Sequence, residues 1–154
     1  MRKRIYRSAI ASLLTTLLGF QTAHASGIVL VTNPSWGMVS APNSGSTSYR
    51  LNTSTGLVSV ASGNGHIFGG SNSGSYLASG LPLESVSYSV SFSAFSGTGV
   101  TATSAYINGS SSTGSGSLSA AGTMTLKVGG VLSVSNSATT GDHTSVITVT
   151  VNFL

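Results

Sequence analysis

Strict alternation of apolar and polar side chains is the sequence feature that most limits what this chain can fold into. Between Ser85 and Phe95 the odd positions up to residue 93 are all serine, while the even positions carry Val86, Tyr88, Val90, Phe92 and Ala94. The segment Ser145–Phe153 repeats the pattern, and its apolar face consists of Ile147, Val149, Val151 and Phe153. Alternate side chains of a β-strand point to opposite faces, so each segment predicts a half-buried antiparallel strand.

Further candidate strands fill the rest of the chain between turns rich in Gly, Asn and Ser. They are Ile28–Thr32, Trp36–Ala41, Ser48–Asn52, Leu57–Ala61, Tyr76–Ser79, Val100–Ile107, Met124–Val128 and Val131–Ser135. The low-complexity stretch Asn108–Gly116 is expected to be a turn. Strong helix formers are scarce, and short strands with regular turns are typical of immunoglobulin-type sandwiches. We therefore predict an all-β, immunoglobulin-like antiparallel β-sandwich that occupies residues 26–154 as a single domain.

Composition separates a packed domain from a flexible linker. Gly, Ser, Thr and Asn are abundant, as they are in many linkers, but 40% of the residues are hydrophobic. Disordered chains combine low hydrophobicity with high net charge. Here four of the six Lys and Arg residues lie in residues 1–7, and the remaining pair, Arg50 and Lys127, balances Glu84 and Asp142. An ordered domain is the prediction.

The first 25 residues have the three parts of a cleavable signal peptide. Residues 1–7 are basic, residues 9–20 are mostly apolar, and residues 23–25 read Ala-His-Ala, the small-x-small pattern of a cleavage site. The apolar run is shorter than the roughly 20 residues of a membrane-spanning helix. We expect export to the periplasm, the cell surface or the extracellular space, with no stable membrane span. A nucleic-acid partner is also excluded, because phosphate binding needs clustered Lys and Arg.

Side chains with catalytic potential are few in residues 26–154: His66, His143, Glu84 and Asp142. Asp142 and His143 are adjacent, so on a strand they would face opposite sides, and no Gly-x-Ser-x-Gly motif supplies an activated serine. Glycoside hydrolysis would require Glu84 and Asp142 to lie together in a cleft. We predict no catalytic residues and no enzymatic activity.

Metal and cofactor sites have equally little support. The chain has no Cys, so zinc would require His66, His143 and both carboxylates to converge. Calcium prefers several carboxylates, and the Thr-Thr-Gly-Asp sequence that ends at Asp142 is typical of an ordinary turn. Gly63-Asn64-Gly65 lacks the Lys and the helix start of a phosphate loop. We predict neither a metal nor a cofactor.

Aromatic side chains bear on carbohydrate binding, which uses exposed rings as platforms. We expect Tyr88 and Trp36 in the core, because both lie in apolar strand patterns. Tyr49, Tyr76 and Tyr106 are candidates for exposed rings, although their spacing defines no common face. A freestanding secreted module that binds a surface, a matrix or a carbohydrate is therefore the alternative function.

Several short segments carry a resemblance to bacterial secreted proteins. They are Leu126-Lys127-Val128-Gly129-Gly130-Val131-Leu132, Val149-Thr150-Val151-Asn152-Phe153, Ser35-Trp36-Gly37-Met38-Val39 and Tyr88. Together they resemble the bacterial secreted domain-of-unknown-function family 4402, although His143 stands where relatives tend to carry Tyr. The segment from Gly141 to Phe153 is also similar to the last strand of spore-coat-U-like pilins of the archaic chaperone–usher pathway. The resemblance implies a secreted or surface-assembled, immunoglobulin-like subunit without enzymatic activity.

The final alternating segment suggests how such a subunit would assemble. A sandwich that ends with this strand either lacks a strand that completes the sheet or completes the sheet itself, and the sequence leaves both open. An uncovered edge is an aggregation hazard. A periplasmic chaperone or usher and then a like subunit would cover it by β-augmentation. The leading hypothesis is therefore a non-enzymatic, pilin-like or fimbrial structural component with a strand-complementation edge at Ile147, Val149, Val151 and Phe153.

Two finer expectations concern burial. The residues that should be largely buried are Val90, Phe92, Leu126, Val149 and Val151. The continuous apolar run in Ile28–Thr32 is short for a donor strand and is typical of a strand buried on both faces. We therefore expect it to belong to the domain's own sheet, with no separate donor extension, so that the chain accepts a strand but does not pass one on.

Overall fold

The computed structural model describes residues 25–154, and the predicted signal peptide lies outside this range except for Ala25. The described residues form eleven strands and no helix, which confirms the predicted all-β class. The strands are β1 (Gly27–Thr32), β2 (Met38–Val39), β3 (Ser46–Leu51), β4 (Val58–Ser62), β5 (Ile67–Gly69), β6 (Gly74–Ser79), β7 (Ser85–Phe92), β8 (Val100–Ile107), β9 (Thr113–Ser117), β10 (Thr123–Ser135) and β11 (Ile147–Phe153). Within residues 25–154 no segment is a helix of the length and apolarity needed to cross a bilayer.

The long strand β10 organises the larger sheet. Its first half pairs antiparallel with β6 and its second half with β3, so β6 and β3 lie end to end along one side of β10. On the other side β10 pairs with β8, while β1 extends the sheet beyond β6 and β4 extends it beyond β3. The two strands predicted on either side of Gly129-Gly130 are thus a single strand. A Cβ on Gly129 would overlap the Leu51 carbonyl and one on Gly130 the Ser104 carbonyl, so the glycine pair permits both neighbours to approach closely.

The smaller sheet has the order β11-β7-β9 and packs against the larger one. The buried residues between them are Val86, Val90 and Leu118 on one side and Tyr76, Ala78, Ile107, Leu126 and Val128 on the other. A Cβ on Gly80, which follows β6, would lie close to the Phe153 ring of β11. A Cβ on Gly116 of β9 would lie close to the Met124 side chain of β10. Strand β11 therefore lies over β6, and β9 lies over β10.

A second buried cluster lies at the other end of β10. It consists of Trp36, Tyr49, Leu51, Val100, Leu132 and Val134. The Trp36 ring meets Phe92 and Phe95 edge-on at centroid distances of 5.6 and 6.1 Å, a favourable arrangement for aromatic quadrupoles. Trp36 is only 7% exposed, as predicted.

Two of the tyrosines considered for an exposed platform are buried instead. Tyr49 is fully buried, and its hydroxyl donates a 2.6 Å hydrogen bond to the Ser40 carbonyl. Tyr76 packs between the sheets. Both lie on strands in which apolar and polar residues alternate only weakly in the sequence. The side of the sheet that each ring faces is therefore decided by the register of its strand against β10.

Strand β9 corrects the expectation that Asn108–Gly116 is a turn. Gly114 pairs with Tyr88 and Gly116 pairs with Val86. A Cβ on Gly114 would collide with the Tyr88 ring, and one on Gly116 would press on Met124. The glycines are needed because large side chains of neighbouring strands fill their space, so a strand without apolar residues gives no hydrophobic pattern. Strand β5, which pairs with β2, was also not predicted, and Trp36–Ala41 contributes only Met38–Val39.

Candidate functional site

One lateral side of the two-sheet body is open, because both sheets end there in an edge strand. Strand β11 pairs with β7 and β1 pairs with β6, and neither has a second strand neighbour among residues 25–154. We refer to the space beside β11 and over β1 as the open edge. It contains the four residues that the sequence predicts for strand complementation: Ile147, Val149, Val151 and Phe153.

The hydrogen-bond pattern shows which backbone groups face the open edge. The Ser93 amide donates to the Val146 carbonyl, and the Leu154 amide donates to the Ser85 carbonyl. Even-numbered residues of β11 therefore direct their backbone groups at β7. In an antiparallel pair the direction alternates from residue to residue. The amides and carbonyls of the four odd-numbered edge residues consequently point away from β7, toward the open edge.

The side chains of these four residues have an intermediate burial. Each packs against the main core cluster, yet each is only half-buried. Val90 and Leu126 are buried as predicted, at 5% and 0% exposure. Phe92, Val149 and Val151 pack against the core but are only partly buried, so the burial of those three is less complete than that of Val90 and Leu126. For Val149 and Val151 the reason is that no strand within residues 25–154 covers β11 on its outer side.

Strand β1 extends past the cover of the smaller sheet. Ile28 pairs with Ala78 and Leu30 with Tyr76, both core residues, so Ile28 and Leu30 face the inner side. They are nevertheless 37% and 48% exposed, because the opposing sheet ends at β11, which lies over β6. The prediction that Ile28–Thr32 joins the domain's own sheet is confirmed, but the expected burial on both faces is wrong.

A groove of about 1050 Å³ lies at the end of the open edge where β11 begins. Ile147 lines it together with Asn33 and Pro34, which directly follow β1, and Trp36 and Phe95 form part of its apolar wall. The Trp36 Nε1–H is buried and has no hydrogen-bond partner among residues 25–154. A buried N–H without a partner is costly, and its burial keeps it from direct contact with an occupant of the groove.

The loop before β11 forms the polar wall of the same groove and contains Asp142 and His143. The two ring nitrogens of His143 lie 2.8 Å from the Thr139 carbonyl oxygen and 2.6 Å from the Ser96 carbonyl oxygen. These two hydrogen bonds, with a smaller contribution from Asp142, raise the pKa of His143 above its ordinary value of 6.5. Both carbonyls are acceptors, so the arrangement favours the imidazolium form, which fastens the loop to the end of β7.

The remaining candidate residues do not come together. Glu84 closes the turn before β7 by accepting a 2.8 Å hydrogen bond from the Leu81 amide, beside the end of β11 that carries Phe153. Asp142 lies beyond the other end of β11. The backbone amide of His66 donates to the Ser40 hydroxyl. In the part of the chain that the structure describes, no three His, Asp or Glu side chains gather as metal ligands would.

No protein-family model matches this sequence, and no curated protein is significantly similar to it. The resemblance to the secreted family 4402 and to the archaic pilins therefore stays a prediction. Function has to be inferred from the molecule's own geometry.

Proposed function

We propose that this protein is a non-enzymatic structural subunit of an exported, surface-associated assembly, joined to its neighbours by β-strand complementation at the open edge. In this proposal the two sheets form an immunoglobulin-like sandwich that lacks one strand. A periplasmic chaperone or usher component supplies that strand first, and a like subunit supplies it in the assembly. The single observation that carries the proposal is that β11 and β1, on the same side of the body, each have only one strand neighbour among residues 25–154.

The dimensions of the open edge suit one added strand. Strand β11 spans seven residues, which corresponds to roughly 23 Å of extended chain. A strand laid beside it would bond the outward amides and carbonyls of Val149 and Val151. Its alternate side chains would cover Ile28 and Leu30 of β1, which the smaller sheet leaves exposed. Main-chain bonding supplies the affinity in this type of recognition, and pockets for alternate side chains supply the specificity.

The scarcity of charge supports close packing between subunits. Only 5% of all residues are charged, and neither β1 nor β11 contains a Lys, Arg, Asp or Glu residue. A strand that docks at the open edge therefore desolvates apolar side chains and backbone groups without burying a charge, which would otherwise offset the gain.

The positions of the ionisable groups support the non-enzymatic part of the proposal. Glu84 and Asp142 lie near opposite ends of β11, about 20 Å apart at the rise of a β-strand. Paired-carboxylate hydrolysis requires the two groups within about 10 Å. Each residue also has a local structural role, in the turn before β7 and in the loop before β11.

The test is the oligomeric state of the chain after export to a bacterial periplasm and purification. It is measured by analytical ultracentrifugation and amide hydrogen exchange. Because β1 is held in its own sheet and is not a free donor strand, we expect the purified chain to associate edge to edge through β11. The Val149 and Val151 amides should then be protected in the oligomers and exchange rapidly in any monomer fraction. A stable monomer at every concentration, with these amides protected, would mean that the edge is self-completed and would overturn the proposal.

A proline at the edge separates strand addition from folding. Val149→Pro removes an amide that points to the open edge, a position at which an edge strand tolerates proline. Val149→Ala is the matched control, because it trims the same side chain and keeps the amide. We expect oligomers to be lost in Val149→Pro and retained in Val149→Ala, with similar melting of the two monomers. Retention of oligomers in Val149→Pro contradicts assembly at β11.

A further inference from the structure

The two cations of the described chain meet at one place. Arg50 and Lys127 are the only Lys and Arg residues in residues 25–154, and both line a surface cavity of about 470 Å³. Arg50 is on β3 and Lys127 is on β10, far apart in sequence. Neither acidic residue lines the cavity, since Glu84 is in the turn before β7 and Asp142 is in the groove beside Ile147. The fold thus gathers all of this region's Lys and Arg charge without a carboxylate to neutralise it.

The strand register places these cations on the outer face of the larger sheet. Val131 pairs with Arg50 and Gly129 pairs with Tyr106. The positions of β10 that point outward are Lys127, Gly129 and Val131, because the inward-pointing positions between them are buried. Their cross-strand partners Arg50 and Tyr106 therefore also point outward. The Arg50 guanidinium lies 5.2 Å from the centre of the Tyr106 ring, a cation–π contact that holds the fork in place while its N–H groups stay available.

The walls of the cavity are two turns that hydrogen bonds hold together. The Thr53 hydroxyl donates to the Gly109 carbonyl at 3.3 Å, which joins the turn after β3 to the turn after β8. Asn108 Oδ1 accepts the Lys127 amide at 2.7 Å, and the Asn108 amide donates to the Lys127 carbonyl. Asn108 adopts φ +49° to do so, a conformation that asparagine tolerates better than most residues. This clamp fixes the backbone that carries Lys127.

We propose that this cavity binds a saccharide that carries a carboxylate, such as a uronic acid or a sialic acid residue. A guanidinium fork matches a carboxylate with two parallel hydrogen bonds, and the Lys127 ammonium adds a second positive charge. The rest of the lining is hydroxyl, amide and backbone from Asn52, Ser54 and Ser110, which is the chemistry that pairs with sugar hydroxyls. The cavity volume falls in the usual range for small-ligand sites.

The same features disfavour other anions. A polyanion such as nucleic acid needs many clustered cations, and here there are two. A small inorganic anion would use the cations alone and leave the hydroxyl and amide lining without a role. Because the cavity is on the outer face of the larger sheet and the open edge is at its side, this inference does not depend on the proposed function.

The test is titration of the exported chain with D-glucuronic acid and N-acetylneuraminic acid, monitored by amide NMR and calorimetry. D-glucose, acetate and sulfate serve as comparators. We expect the acidic sugars to shift the amides of Ser54, Gly109 and Lys127, with weaker binding of glucose and of acetate, and affinity that falls as salt is raised. Equal binding of acetate, sulfate and glucuronic acid means an adventitious anion only and overturns the proposal, as does no binding of either acidic sugar.

Variants distinguish this site from a general effect of charge. Arg50→Gln removes an exposed side chain and is expected to weaken binding of the preferred acidic sugar by about tenfold or more, with Lys127→Gln similar. Arg50→Lys keeps the charge but loses the guanidinium fork. Its affinity for the acidic sugar should therefore fall between that of the unchanged protein and that of Arg50→Gln. Asp142→Asn, in the other groove, is the control and should leave the affinity unchanged. Val149→Pro should bind the sugar normally, and Arg50→Gln should assemble normally, so failure of one proposal is distinguishable from failure of the other.

Discussion

Aspartate placed at Val90 and at Val149 probes the open edge, because these two valines are direct cross-strand partners on β7 and β11. Val90 is 5% exposed in the centre of the smaller sheet. Its replacement loses about 1.5–3 kcal/mol of apolar burial and leaves an unpaired carboxylate that costs several kcal/mol more. That sum is comparable to the whole stability of a small domain, about 5–15 kcal/mol. Val90→Asp is therefore expected not to fold.

The same substitution at Val149 should have a much smaller effect on the free subunit. Val149 is only half-buried, so about 1–2 kcal/mol of burial is lost, and the carboxylate keeps part of its hydration at the uncovered edge. In an assembled subunit an added strand would bury the same carboxylate, so we expect Val149→Asp to fold as a monomer and not to assemble.

Urea unfolding followed by Trp36 fluorescence, together with ultracentrifugation, measures both effects. Val149→Ala and Val90→Ala separate the loss of apolar area from the effect of the charge. If Val149→Asp were as damaging to the monomer as Val90→Asp, β11 would have to be covered in the free protein, and the reasoning from an open edge would be refuted.

Three local features give further predictions. His143 has a raised pKa because its ring donates to the Thr139 and Ser96 carbonyls, so its contribution to stability is complete below about pH 6.5 and is lost as the pH rises through the raised value. An NMR titration of His143 should give a midpoint above the ordinary value of 6.5, and a midpoint at or below about 6.5 contradicts the hydrogen-bonded imidazolium. Gly65→Ala should cost about 1–3 kcal/mol, because a Cβ there overlaps the buried Tyr49 hydroxyl, whereas Gly27→Ala, which meets nothing within 4 Å, should leave the urea midpoint nearly unchanged. Leu83 is exposed and has φ +60°, so Leu83→Gly should raise the free energy of unfolding by up to about 1 kcal/mol, and a clear loss would show that its side chain packs usefully.

The alternation of β7 and β11 could be predicted from the sequence because a period of two is a local property that each strand carries alone. Val100–Ile107, a candidate strand marked by its flanking turns and not by alternation, has the bounds of β8. The two strands predicted around Gly129-Gly130 required pairing information to be joined into one, because only the carbonyls of Leu51 and Ser104 show why glycine is needed there. Strand β9 had no apolar side chains to mark it, since Tyr88 and Met124 fill the space beside its glycines.

The chemistry of both candidate sites depends on contacts between distant segments. The sequence alone determined that Ile147, Val149, Val151 and Phe153 share one face of a strand, and that Arg50 and Lys127 are this region's only Lys and Arg residues. The tertiary structure decided that β11 has one strand neighbour instead of two among residues 25–154, which leaves those apolar residues half-covered and their amides free of partners in that part of the chain. It also decided that the two cations share a cavity, because both positions depend on the register of β3 and β8 against β10. Register is set by packing over the whole sheet, and no local pattern of residues records it.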